Sequence, residues 1–83
     1  MVPVKVFCQP RAGARYADLA VISLNDPTGR FVRAPAPGEW DLEAPAGSYQ
    51  LRAEFPQRPS YRPFTDSVVA WPPSRRWKVP VTS

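Results

Sequence analysis

"EWDLEAPAGSYQLRAEF", residues 39–55, decides the fold. Trp40, Leu42 and Ala44 alternate with acidic residues, "PAGS" interrupts, and Tyr49, Leu51, Ala53 and Phe55 then alternate with polar ones. Alternation of period two specifies strands with one buried face. The stretch therefore predicts a β-hairpin closed at residues 45–48, with Ala44 opposite Tyr49, Leu42 opposite Leu51 and Trp40 opposite Ala53. The same register sets Glu43 opposite Gln50 and Asp41 opposite Arg52 on the wet face. A slip of one residue would turn every apolar side chain to water, so the register is strongly specified. An Asp41–Arg52 pair adds about 0.2–1 kcal/mol, small beside the burial of Trp40, Leu42 and Leu51.

Working outward, "VPVKVFC" (2–8) places Val2, Val4, Val6 and Cys8 on one face and Pro3, Lys5 and Phe7 on the other. Pro3 cannot donate to a ladder, which points to an edge position or a strand start. "QPRAGARY" (9–16) is a polar connection, and "ADLAVISL" (17–24) is an apolar run consistent with a strand covered on both sides or with a short helix, which period alone does not separate. "NDPTG" (25–29) is a turn, because Asn25 or Asp26 can bond its own following backbone, Pro27 presets φ and Gly29 can adopt a positive φ. "RFVRA" is a short strand that "PAPG" (35–38) is expected to break. "PQRPSYRP" (56–63) reads as an extended loop, "FTDSVVAW" (64–71) as a strand, and "WKVPVT" (77–82) as a last strand with Trp77, Val79 and Val81 on one face.

The expectation is all-β: one small antiparallel β-sandwich of about seven short strands, prealbumin-like or immunoglobulin-like, filling residues 1–83 as a single domain. Length and composition agree. Eighty-three residues hold one modest core, and 12 prolines oppose long helices. No apolar run reaches the roughly 20 residues that span a bilayer, and no membrane partner is expected. The N-terminus lacks a basic segment followed by an apolar one, so a cytoplasmic or virion location is expected. Cys8 is the only cysteine and reads as a small buried hydrophobe.

Pro45, Gly47, Tyr49 and Leu51 form the pattern Pro-x-Gly-x-Tyr-x-Leu behind an apolar strand. In this the chain resembles the prealbumin-like sandwiches, the carboxypeptidase regulatory-like and transthyretin-like repeats of bacterial proteins. The likeness covers residues 2–55, and the Arg-, Pro- and Trp-rich final third departs from it. The resemblance implies a non-catalytic accessory or interaction module and carries over no catalytic residue.

Chemistry is sparse. Histidine is absent, removing the commonest general base and metal ligand, and a lone cysteine cannot build a structural zinc site. No phosphate-cradling glycine motif occurs. Glu39, Asp41 and Glu43 on one strand face read as a solvated row rather than a calcium site. No enzyme activity, metal, cofactor or small-molecule substrate is expected.

Charge singles out the C-terminus. Residues 1–55 carry six basic and six acidic groups, whereas residues 56–83 carry Arg58, Arg62, Arg75, Arg76 and Lys78 against Asp66, which is the whole net charge of +4. Arg58, Tyr61, Arg62, Trp71, Arg75, Arg76 and Lys78 are therefore the candidate partner-binding residues. Trp, Tyr and Arg are the anchors enriched at protein interfaces. The same interleaving of cations with aromatics, Phe64 and Trp77 included, also fits nucleic acid, with arginines on phosphates and rings on bases. A third possibility keeps Phe64, Trp71 and Trp77 in the core and leaves the arginines merely solvated. The favoured expectation is a structural or docking module that binds a protein or itself, as a virion decoration or tail component or an accessory subunit of a bacterial multiprotein system. A nucleic-acid-binding protein is the alternative.

Overall fold

The computed structural model describes residues 1–9 and 20–81. Seven strands follow one another: β1 (Val2–Gln9), β2 (Val21–Asn25), β3 (Phe31–Pro37), β4 (Trp40–Ala44), β5 (Gly47–Glu54), β6 (Phe64–Ala70) and β7 (Arg75–Pro80). They form a three-stranded sheet ordered β4-β1-β7 and a four-stranded sheet ordered β3-β2-β5-β6. No helix occurs among the described residues. The protein is a small β-sandwich.

The core lies between the sheets and is built by alternation. Val2, Val4, Val6 and Cys8 of β1 are buried, while Pro3, Lys5 and Gln9 are exposed and Phe7 is half-buried. Ile22, Leu24, Leu51, Ala53, Trp77 and Val79 approach from the other strands, with Trp40, Tyr49 and Phe55 completing the cluster. Fully burying a Leu or Ile side chain stabilises by about 1.5–3 kcal/mol, so Ile22, Leu24 and Leu51 are major contributors.

The hairpin expected over residues 39–55 does not form. Both strands exist where the alternation places them, but β4 pairs with β1 and β5 pairs with β2 and β6. Ala44, Leu42 and Trp40 stand opposite Val2, Val4 and Val6, not Tyr49, Leu51 and Ala53. Asp41 faces Lys5, and Arg52 pairs instead with Glu54 of its own strand at 2.7 Å. The chain at residues 45–46 crosses from one sheet to the other. The alternation satisfies either arrangement, since the apolar side chains of both strands reach the same core whether the strands share a sheet or oppose one another across it. Gly47, at φ +155°, opens the strand beyond the crossing.

Other departures are smaller. One pair, β1 with β7, is parallel, so the sandwich is not wholly antiparallel. Pro3 marks a strand start, since β1 is central in its sheet. "PAPG" does not break β3. Pro35 and Pro37 continue it to Gly38, which turns at φ +93°; β3 is an edge strand, where missing donors are tolerated. Residues 56–63 form turns rather than an extended loop, with the Arg58 amide donating to the Phe55 carbonyl and the Tyr61 amide to that of Arg58. Strand β7 begins at Arg75, before the expected Trp77. Most of the 9–16 connection and the first part of the 17–24 run lie outside the described residues; β2 is the remainder of that run, and Ile22, Ser23 and Leu24 are all buried.

The 25–29 turn forms as its residues dictate. One Asp26 carboxylate oxygen accepts from the Thr28 amide at 2.9 Å, the Thr28 hydroxyl at 2.6 Å and the Arg30 amide at 3.0 Å. Gly29 takes φ +88°.

Candidate protein-docking surface

The seven candidate residues fall into three groups rather than one patch. Arg58, Tyr61 and Arg62 lie on the β5–β6 connection, beyond the end where Ala53 pairs with Phe64. Trp71 follows β6 at the opposite end, where Gly47 pairs with Ala70, and is 60% exposed. Arg75, Arg76 and Lys78 belong to β7.

Within the first group Tyr61 is half-buried, its ring edge-on to Phe55 at 5.8 Å between centroids. It is anchored to the core. Arg58 and Arg62 are exposed beside it. Phe64 also packs against the core, and Trp77 is only 6% exposed, its indole N–H donating to the Val69 carbonyl at 3.2 Å. The interleaving of cations and rings along residues 75–78 is thus the alternation of one strand, with Arg76 and Lys78 outward and Trp77 inward. Base stacking requires exposed rings, and among the candidate aromatics Trp71 is the one largely exposed.

The parallel β1–β7 register brings further residues to the β7 cations. Lys5 lies beside Arg76, and Phe7 beside Lys78. The Arg76 guanidinium sits over the Phe7 ring at 5.1 Å, a cation–π contact. Lys5, Arg76 and Lys78 with Phe7 therefore make a basic strip on the outer face of the three-stranded sheet. The alternation of β1 places Lys5 and Phe7 on its outward face, but nothing local in the sequence joins them to Arg76 and Lys78, from which 71 positions separate them. At the start of β7, a shallow groove of ≈ 490 Å³ crosses the sheet between Arg75 and Arg76 on one side and Asp41 and Glu43 on the other.

On the far edge of the same sheet, β4 presents Asp41 and Glu43 outward, with exposed Glu39 preceding them. These acids lie along a strand and do not converge, and no group of three metal-ligating side chains occurs among the described residues. Arg33 caps the inner side of this region, its guanidinium 4.3 Å from the centre of the buried Trp40 ring.

Cys8 is buried, and burial followed by the nearby Glu39 charge pushes its thiol up to about 11. A thiol held protonated is a poor nucleophile and a poor metal ligand. It serves as packing. No helix among the described residues is long and apolar enough to cross a membrane.

Comparison with protein-family models, with curated proteins and with solved structures finds no match.

Proposed function

We propose that this chain is a non-catalytic structural or docking module that binds an acidic protein surface through the outer face and free edge of β7. The carrying observation is the basic strip of Lys5, Arg76 and Lys78. Among the described residues none of the three has an ion-pair partner, and the strip lies on a strand whose second edge no other described strand pairs with. Exposed cations grouped on a rigid sheet steer and orient an acidic partner more than they stabilise the fold. A free strand edge supplies main-chain donors and acceptors for an added strand.

The prealbumin-like assignment is supported by the position of its motif. Pro45 lies in the crossing between sheets, Gly47 opens β5, the Tyr49 hydroxyl donates back to the Pro45 carbonyl, and Leu51 is buried in the core. A module of this kind fits a virion decoration or tail component, or an accessory subunit of a bacterial multiprotein system.

The test combines mass in solution with capture by the immobilised chain, comparing wild type with Arg76→Glu/Lys78→Glu. Wild type should associate with itself or retain a partner, and the variant should lose that association while keeping its circular dichroism spectrum. A wild-type chain that stays monomeric and retains nothing overturns the docking role.

A further inference from the structure

The four sheet edges are not equivalent. In the four-stranded sheet both edges are guarded. Strand β3 carries Pro35 and Pro37, which remove two donors. Strand β6 carries Asp66, placed opposite buried Leu51 on the core-facing side yet exposed, so a charge stands where a docking strand would bury it. Prolines and inward-pointing charges are established means of blocking edge-to-edge pairing. The three-stranded sheet has neither device over most of its edges: β4 (Trp40–Ala44) has no proline, and β7 has one only at its last residue, Pro80.

Charge distinguishes these two edges, neither of which is paired by another described strand. Strand β4 presents Asp41 and Glu43 outward, and β7 presents Arg76 and Lys78. Asp41 and Glu43 have no ion-pair partner among the described residues. Pairing of β4 with a second β4 sets acid against acid, and pairing of β7 with a second β7 sets cation against cation. Both isologous arrangements are therefore opposed, because like charges directly opposite across strands destabilise. The pairing of β4 with β7 is complementary.

Strand direction also matches. β1 is antiparallel to β4 and parallel to β7, so β4 and β7 run antiparallel within one sheet. A second copy continuing the sheet in the same orientation presents its β4 antiparallel to the first copy's β7. We infer that this chain self-associates head-to-tail, β7 of one copy adding to β4 of the next, with Arg76 beside Glu43 and Lys78 beside Asp41. In that register Trp77 falls beside Leu42 and Val79 beside Trp40 on the core-facing side, so both faces agree. The contact is heterologous and leaves one open edge at each end of the dimer, so association continues into a filament that turns with the strand twist. The inference rests on the docking reading above and names its partner as a second copy of this chain. Each contact is one strand edge long, well below the area of a standard stable interface, so growth requires high concentration and weakens with salt.

Sedimentation velocity over a concentration series at low salt, on the full chain, tests this. Wild type should show a growing ladder of species. Asp41→Lys/Glu43→Lys alone and Arg76→Glu/Lys78→Glu alone should each remain monomeric, since each carries one sign of charge on both edges. Mixed in equal amounts, the two should regain the ladder, which neither general stickiness nor misfolding reproduces. Should the reversed variants lose their native circular dichroism, Asp41→Asn/Glu43→Gln serves instead, with association weakened roughly 2- to 30-fold, the span of two exposed opposite-charge pairs. A wild-type chain that stops at a discrete dimer, whose ladder survives charge reversal, or whose association is as strong in the neutral variant overturns the inference. A monomeric wild type that retains a different partner through Arg76 and Lys78 overturns self-association and leaves docking standing, whereas a monomer that retains nothing overturns both.

Discussion

The Tyr49 hydroxyl donates to the Pro45 carbonyl oxygen at 2.5 Å, tying the start of β5 back to the segment that has just left the other sheet. This tyrosine-corner arrangement, with the acceptor four residues upstream, fixes the angle at which the chain changes sheets. Tyr49→Phe removes the bond and keeps the ring, which packs against Trp77 at 6.3 Å. The substitution should cost about 0.5–1.5 kcal/mol in urea unfolding. Unchanged stability would show that the hydroxyl does not hold the crossing.

Crossing and hairpin differ in which backbones touch. Nuclear Overhauser spectra should connect residue 41 with residue 5 and residue 51 with residue 24, as adjacent antiparallel strands require. Backbone contacts between residues 41 and 52 should be absent, and their presence would restore the hairpin.

The two tryptophans flanking the β6–β7 turn should behave oppositely. Trp77→Ala empties a core site and should cost about 3–5 kcal/mol. Trp71→Ala, at an exposed position, should stay within about 0.5 kcal/mol of wild type. Denaturant titration of both variants measures the difference, and equal costs would mean that Trp71 is part of the core.

Alkaline pH should weaken the fold through Cys8. Burial and then Glu39 raise the thiol from 9.0 to about 11, so the folded chain favours the neutral form more than the unfolded chain does. That contribution is intact below pH 9 and is lost as pH rises through 11. Between those values Tm should fall more steeply for wild type than for Cys8→Ala. Parallel curves would show that Cys8 is solvated.

Acid acts on the 25–29 turn in the reverse sense. The Thr28 hydroxyl, helped by the Arg30 and Thr28 amides and the Arg30 charge, holds the Asp26 carboxyl below its ordinary 3.8. Its contribution is present above that value and disappears as pH falls through the lowered one. Asp26→Ala should lower Tm at neutral pH, with the gap closing in strong acid. A gap independent of pH would assign the loss to backbone conformation rather than to the ionised carboxylate.

Strand positions were legible because alternation of apolar side chains is a property of one strand and its two faces. Trp40, Leu42 and Ala44, like Tyr49, Leu51 and Ala53, point to the same core whether they share a sheet or oppose one another across it. Alternation cannot separate those cases. What separates them is the pairing of β4 with β1 and of β5 with β2 and β6, most of it between residues far apart in sequence. Part of the surface was legible for the same reason: Arg76 and Lys78 had to face outward if Trp77 and Val79 faced inward. Lys5 and Phe7 could not be joined to them from sequence, because that depends on a parallel pairing between the first and last strands.

That parallel pairing has a mechanical consequence. β1 and β7 run in the same direction, and the Val81 amide extends their ladder to the Gln9 carbonyl at 3.2 Å. Tension applied between Val2 and Val81 would slide the two strands past one another, loading their hydrogen bonds together instead of unzipping them in turn. Seen this way, the sandwich is a clamp whose resistance to stretching is concentrated in its outermost strands of sequence.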